Sequence, residues 1–117
     1  MLNNPTQPEE GVMATLNVNG REISATEIGP VTHVFSSIGV FAVKARHHGF
    51  YSSDQLVIFK EPSIKGDPAV YCACCQVKSI QLNRQPITEV TRGQEVGVKT
   101  NCVLLPPNNA QVFLVTN

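Results

Sequence analysis

Tryptophan is absent from this sequence, aromatic residues amount to 6% of its 117 positions, and charged residues to 15%. A chain so poor in charge and 42% apolar does not have the composition of a disordered polypeptide. Nine basic residues meet nine acidic ones, which excludes a strongly basic nucleic-acid binder and a polyacidic tail protein alike. No apolar run approaches the roughly 18 residues of a membrane-spanning helix. The opening MLNNPTQPEEG has neither the positive start nor the apolar stretch of a signal peptide, so the expectation is a cytoplasmic protein without membrane contact. The phosphate-cradling pattern GxxxxGK[ST] is missing, because Gly66 follows Lys65 instead of preceding it. GTP hydrolysis is therefore not expected. No segment shows a helical apolar stripe over ten residues.

What is present reads as strand after strand in one domain. The polar start, residues 1–12 with Pro5 and Pro8, has no periodic pattern and is expected to fray. Asn19-Gly20 lies between two short runs in ATLNVNGREIS, the dipeptide of a tight hairpin, so an N-terminal extension over 1–27 with an extra hairpin is expected ahead of a barrel domain over 28–117. VTHVF (31–35), VFAVKAR (40–46), QLVIFK (55–60), a long stretch at 69–82, EVGVKTNCVLL (95–105) and AQVFLVT (110–116) are β-type runs. Glycine and proline clusters separate them, with HHGFYSSD read as a loop, NRQP as a turn and ITEVTRG as a single helical turn. Val77 and Ile80 are three apart and reach one core only across a bulge. The fold expected is all-β, a small six-stranded antiparallel barrel whose closure removes its edges.

Four cysteines, Cys72, Cys74, Cys75 and Cys102, form an even set, yet three crowd together and no export signal precedes them. Reduced thiols are the expectation. On an extended strand Cys72 and Cys74 share a face about 7 Å apart, too far for two sulfurs that each sit about 2.3 Å from one zinc, and Cys75 points away. Neither a metal nor another cofactor is expected. His33 lies in an apolar strand as a structural residue, His47-His48 begin a loop without a third ligand, and Asp54 and Asp67 are isolated. No catalytic residue is assigned, and the protein is read as not an enzyme.

Three stretches in order, IGPVTHVFSSIGVFAVKA (28–45), VKSIQLNRQPITEV (77–90) and RGQEVGVKT (92–100), resemble the second-domain β-barrel of translation elongation factor Tu and its relatives. The likeness is greatest to short stand-alone translation elongation factor-like proteins. It extends also to the barrel appended to some collagenase-like peptidases, and it covers about residues 28–103. Gly39, Gly93 and Gly97 are read as shaping turns and close approaches in that barrel. EPSIKGDPAVYCACC (61–75) is longer than the family's connection there, and the N-terminal extension and last strand lie outside the match. The resemblance implies a barrel that in elongation factor Tu helps hold the aminoacyl end of transfer RNA, but that pocket's residues do not transfer one by one.

Residues 1–28 carry four glutamates against Arg21, a net charge of −3, and the remainder carries +3. Lys44 and Arg46 are read on the outer face of one strand, with Lys78, Arg84, Arg92 and Lys99 on or beside its neighbours. These six form the expected RNA-binding surface, with Phe50-Tyr51 as stacking faces. The leading expectation is a non-catalytic module engaging RNA or a translation-related ribonucleoprotein partner. One rival is a protein-interaction or homo-oligomeric module pairing through Ala110–Thr116 or the cysteine-bearing strand. Another is a small thiol-based enzyme using Cys72, Cys74 and Cys75.

Overall fold

The computed structural model describes residues 13–18, 20–59, 70–102 and 104–116. The expected frayed start and the 61–69 connection lie outside these residues, as do the side chains of Cys72 and Cys74. Ten strands follow in chain order: β1 (Met13–Val18), β2 (Arg21–Phe35), β3 (Val40–Lys44), β4 (Phe50–Tyr51), β5 (Gln55–Phe59), β6 (Val70–Leu82), β7 (Gln85–Ile87), β8 (Glu89–Val90), β9 (Glu95–Thr100) and β10 (Gln111–Val115). Among the described residues there is no helix.

Six strands close on themselves in the order β2, β10, β5, β6, β9, β3 and back to β2, every neighbouring pair antiparallel. The expected six-stranded antiparallel barrel is thus the observed fold. Alternation along the strands sends one set of side chains inward. Ile28, Val31, Phe41, Val43, Leu56, Ile58, Val77, Ile80, Val96, Val98 and Val112 fill the interior, all buried. Each such side chain removed from water contributes roughly 1.5–3 kcal/mol before the entropy of ordering it is subtracted.

Closure depends on β2 serving two neighbours. Its residues Ala25–Pro30 pair with β10 and Val31–Phe35 with β3. A register shift between Val31 and His33 turns the strand between the two. Gly29 sits at this crossover with φ +155°, and a Cβ there would stand 1.9 Å from the Lys44 carbonyl oxygen. Only glycine lets the two backbones pass at that distance. The bulge expected between Val77 and Ile80 is present too. Val77 pairs with Thr100 and Ser79 with Lys99, leaving Lys78 as the extra residue, so both Val77 and Ile80 face the core.

A hairpin forms at the place expected, with Val18 opposite Arg21. Its second strand is the beginning of β2, which runs unbroken across residues 27 and 28. Hairpin and barrel therefore share one strand. Leu16 and Ile23 pack with Phe113 and Val115 around buried Val57, a small apolar cluster outside the barrel. Met13 and Leu114 both lie opposite Thr26, on either side of β2.

Three local expectations need correction. The ITEVTRG stretch is not a helical turn. It divides into β7, which continues the β6 hairpin, and β8, which leaves to pair with β4. HHGFYSSD is not all loop, because β4 carries Phe50 opposite Val90 and delivers both into the barrel core. Finally, Cys75 and Cys102 are joined as a disulfide, their Cα atoms 5.9 Å apart, where reduced thiols had been expected. The chain beyond β9 stays beside β6, with the Asn101 amide donating to the Gln76 carbonyl at 3.0 Å and the Gln76 amide to Asn101 Oδ1 at 2.9 Å. That register brings the two sulfurs together.

Candidate nucleic-acid interface

The outer face of β3, β9 and β6 is built from the positions that alternate with the core. Ala42 lies opposite Gly97, and Gly97 opposite Gln81, so the middle row is almost without side-chain bulk. Two turns rise at the ends of this row. Phe35 at the end of β2 and Ile38 in the β2–β3 turn are 43% and 61% exposed. The β6–β7 turn carries Asn83 and Arg84, whose φ values of 54° and 66° are the paired positive values of a tight type I′ hairpin. Between them lies a groove of about 630 Å³. Phe35, Ile38, Val40 and Ala42 are its apolar lining, and Gln81, Asn83, Arg84 and Glu95 its polar lining.

Gly97 was expected where a neighbouring backbone comes close. What lies nearest is instead the Val40 side chain, 3.3 Å from the place of a Cβ. Its role is to leave the groove floor open. Glu95 is held in place by a 2.6 Å hydrogen bond from Thr32 Oγ1 on β2. His33 packs beside Phe35, ring centroids 5.1 Å apart, and so extends the aromatic rim.

The six cations expected to form one face divide among four places. Arg84 lines the groove. Lys99 projects from the outer face of β9, its Cε 3.9 Å from the place of a Cβ on Gly39 in the β2–β3 turn. Lys44 is on the same face, in register with Glu95. Arg46 leaves it: β3 stops at Lys44, and the Arg46 amide donates back to the Lys44 carbonyl at 2.7 Å, a tight turn that ends the alternation. Lys78 is the exposed bulge residue of β6. Arg92 belongs to a second, smaller pocket with His48, Tyr51 and Glu89.

Of the two aromatics expected to stack, Phe50 is buried at 2% exposure and Tyr51 is 56% exposed. Sequence reasoning missed Phe35, Ile38, Gln81 and Asn83. The signal was there in Asn83-Arg84, a two-residue connection between β-type runs, but what its turn faces depends on how the strands pair. Among the described residues no group of three histidine, cysteine or acidic side chains is placed to hold a metal ion, and no helix is long and apolar enough to cross a membrane. The chain matches no protein-family model and no curated protein.

Proposed function

We propose that the protein is a non-catalytic binding module that holds a single-stranded stretch of RNA, alone or within a translation-related ribonucleoprotein, in the groove between Phe35 and Arg84. One observation carries this reading: an exposed aromatic ring and a guanidinium line one groove together with the small residues Ala42 and Gly97. An aromatic rim offers stacking to any base. Arg84, Lys99 and Lys44 supply phosphate contacts, and Gln81 and Asn83 supply both donors and acceptors for base edges. The likeness to the elongation-factor barrel supports the same ligand class. The cytoplasm is part of the proposal, and a disulfide that persists in cells would count against that compartment.

The rival assembly reading loses the two edges it relied on. β10 is paired on both sides, by β2 and β5, and β6 by β5 and β9. Filter retention of a labelled single-stranded RNA over a salt series tests the proposal. Arg84→Ala with Lys99→Ala should weaken binding and lower the slope of log K against log salt by about 1.4, at about 0.7 per single-strand phosphate contact. Wild-type protein that retains no RNA at low salt refutes the reading.

A further inference from the structure

The smaller pocket, of about 270 Å³, has an aromatic ring beside a carboxylate. Tyr51 and Glu89 are directly opposite each other on β4 and β8, so their side chains are neighbours on one face of that short ribbon. Both are exposed. The inward partners of the same ribbon, Phe50 and Val90, are buried in the barrel core and fix its position.

The surround is rigid as well. A Cβ on Gly49 would stand 1.9 Å from the Val90 carbonyl oxygen, so the backbones of the two segments touch behind the pocket. The Tyr51 amide donates to Asp54 Oδ2 at 2.8 Å, and the Ser52 amide to the Thr88 carbonyl at 2.9 Å. The turn carrying Arg92 is closed by the Thr91 amide donating to Gln94 Oε1 at 2.9 Å. His48 Nδ1 donates to the Gly49 carbonyl at 2.6 Å, which orients the ring.

These groups select a ligand. An ionised carboxylate only accepts hydrogen bonds. Among nucleobases, guanine alone presents two adjacent donors, N1–H and the N2 amino group, on one edge. Adenine and cytosine place a ring-nitrogen acceptor beside their amino group, and uracil flanks its single N–H with two carbonyl oxygens. A protein arginine would also satisfy Tyr51 and Glu89; the RNA reading of the neighbouring groove decides for the base, and an arginine-rich peptide is the competing ligand in the test below. We propose that this pocket is a guanine-selective subsite for single-stranded RNA: the base stacks on Tyr51, and its N1–H and N2 amino group donate to the Glu89 carboxylate. The proposal rests on the RNA reading above. Arg92 is three residues from Glu95 of the groove, no more than about 11 Å along the chain, so one strand can occupy both.

The test is fluorescence anisotropy with uridine octamers that carry one central guanosine, inosine, adenosine or cytidine. The guanosine octamer should bind at least about tenfold tighter than the adenosine one, within the range for a bidentate base contact. Inosine, which keeps N1–H and lacks the amino group, should fall between them. Glu89→Gln should abolish the preference while all-uridine binding is unchanged, and Tyr51→Ala should weaken guanosine binding about tenfold where Tyr51→Phe does not. Equal binding of the four octamers, or a preference that survives Glu89→Gln, overturns the subsite and leaves the groove reading standing. Tighter binding of an arginine-rich peptide, or of guanosine monophosphate alone, overturns the assignment to RNA. Failure of every octamer at low salt removes the RNA reading itself.

Discussion

Arg84 holds a backbone conformation that a branched or long side chain adopts at a cost. At φ 66° it occupies the left-handed region, unfavourable for an L-residue by about 1–2 kcal/mol. Glycine would remove that cost and return about 0.4–1 kcal/mol of it through the greater freedom of the unfolded chain. Arg84→Gly is therefore expected to stabilise the fold by about 0.5–1 kcal/mol in chemical denaturation, while RNA affinity falls. A variant that gains stability and keeps full affinity would show that the guanidinium does not touch the ligand. The residue scale is also where sequence reading met its limit. Phe50 and Tyr51 are adjacent and equally aromatic, and period-2 alternation says that they face opposite ways. Which one faces the core depends on Phe50 standing opposite Val90, a pairing no local pattern contains.

At the scale of elements, the Cys75–Cys102 bridge closes a loop of 27 residues from β6 to the chain beyond β9. A loop of that length, cross-linked, is expected to contribute roughly 3–4 kcal/mol through the unfolded chain. Cys102→Ser, or a reductant, should lower the unfolding free energy by that amount, read as a shift in denaturant midpoint. A midpoint that does not move under full reduction would show the bridge to be energetically idle. The elements differ in how far the sequence disclosed them. The β6 bulge was legible because Val77 and Ile80 are both apolar and three apart, a spacing that a regular strand cannot bury. β7 and β8 were not, since ITEVTRG is too short to show a period, and its two halves take different partners. The bridge was hidden for a related reason. Cys102 follows β9, and only the β6–β9 register brings it beside Cys75. The groove had the same origin: small residues at 42 and 97 mean little until their strands are neighbours.

For the whole molecule, the decisive pairing is the one that closes the barrel. β10 joins β2 through Gln111 opposite Pro30 and Val115 opposite Ala25, contacts between segments far apart in the chain. Such non-local pairing delays folding, because the loop between the segments must be ordered before the contacts form. Refolding of the disulfide-bonded protein, followed by stopped-flow tyrosine fluorescence, is expected on the millisecond-to-second scale of small barrels. Completion within microseconds would mean that closure does not limit the rate. Closure also explains how little charge the fold needs. With six strands paired on both sides, no long barrel edge has to be guarded by lysines, and the 15% of charged residues can be spent elsewhere on the surface.

Because Met13 and Leu114 flank the same residue of β2, one on each side, the described chain enters and leaves the barrel about 10 Å apart, two inter-strand spacings. Spliced into a surface turn of another protein, a unit with ends so close would leave that turn closed, and its groove on β3, β9 and β6 would stay open to a ligand.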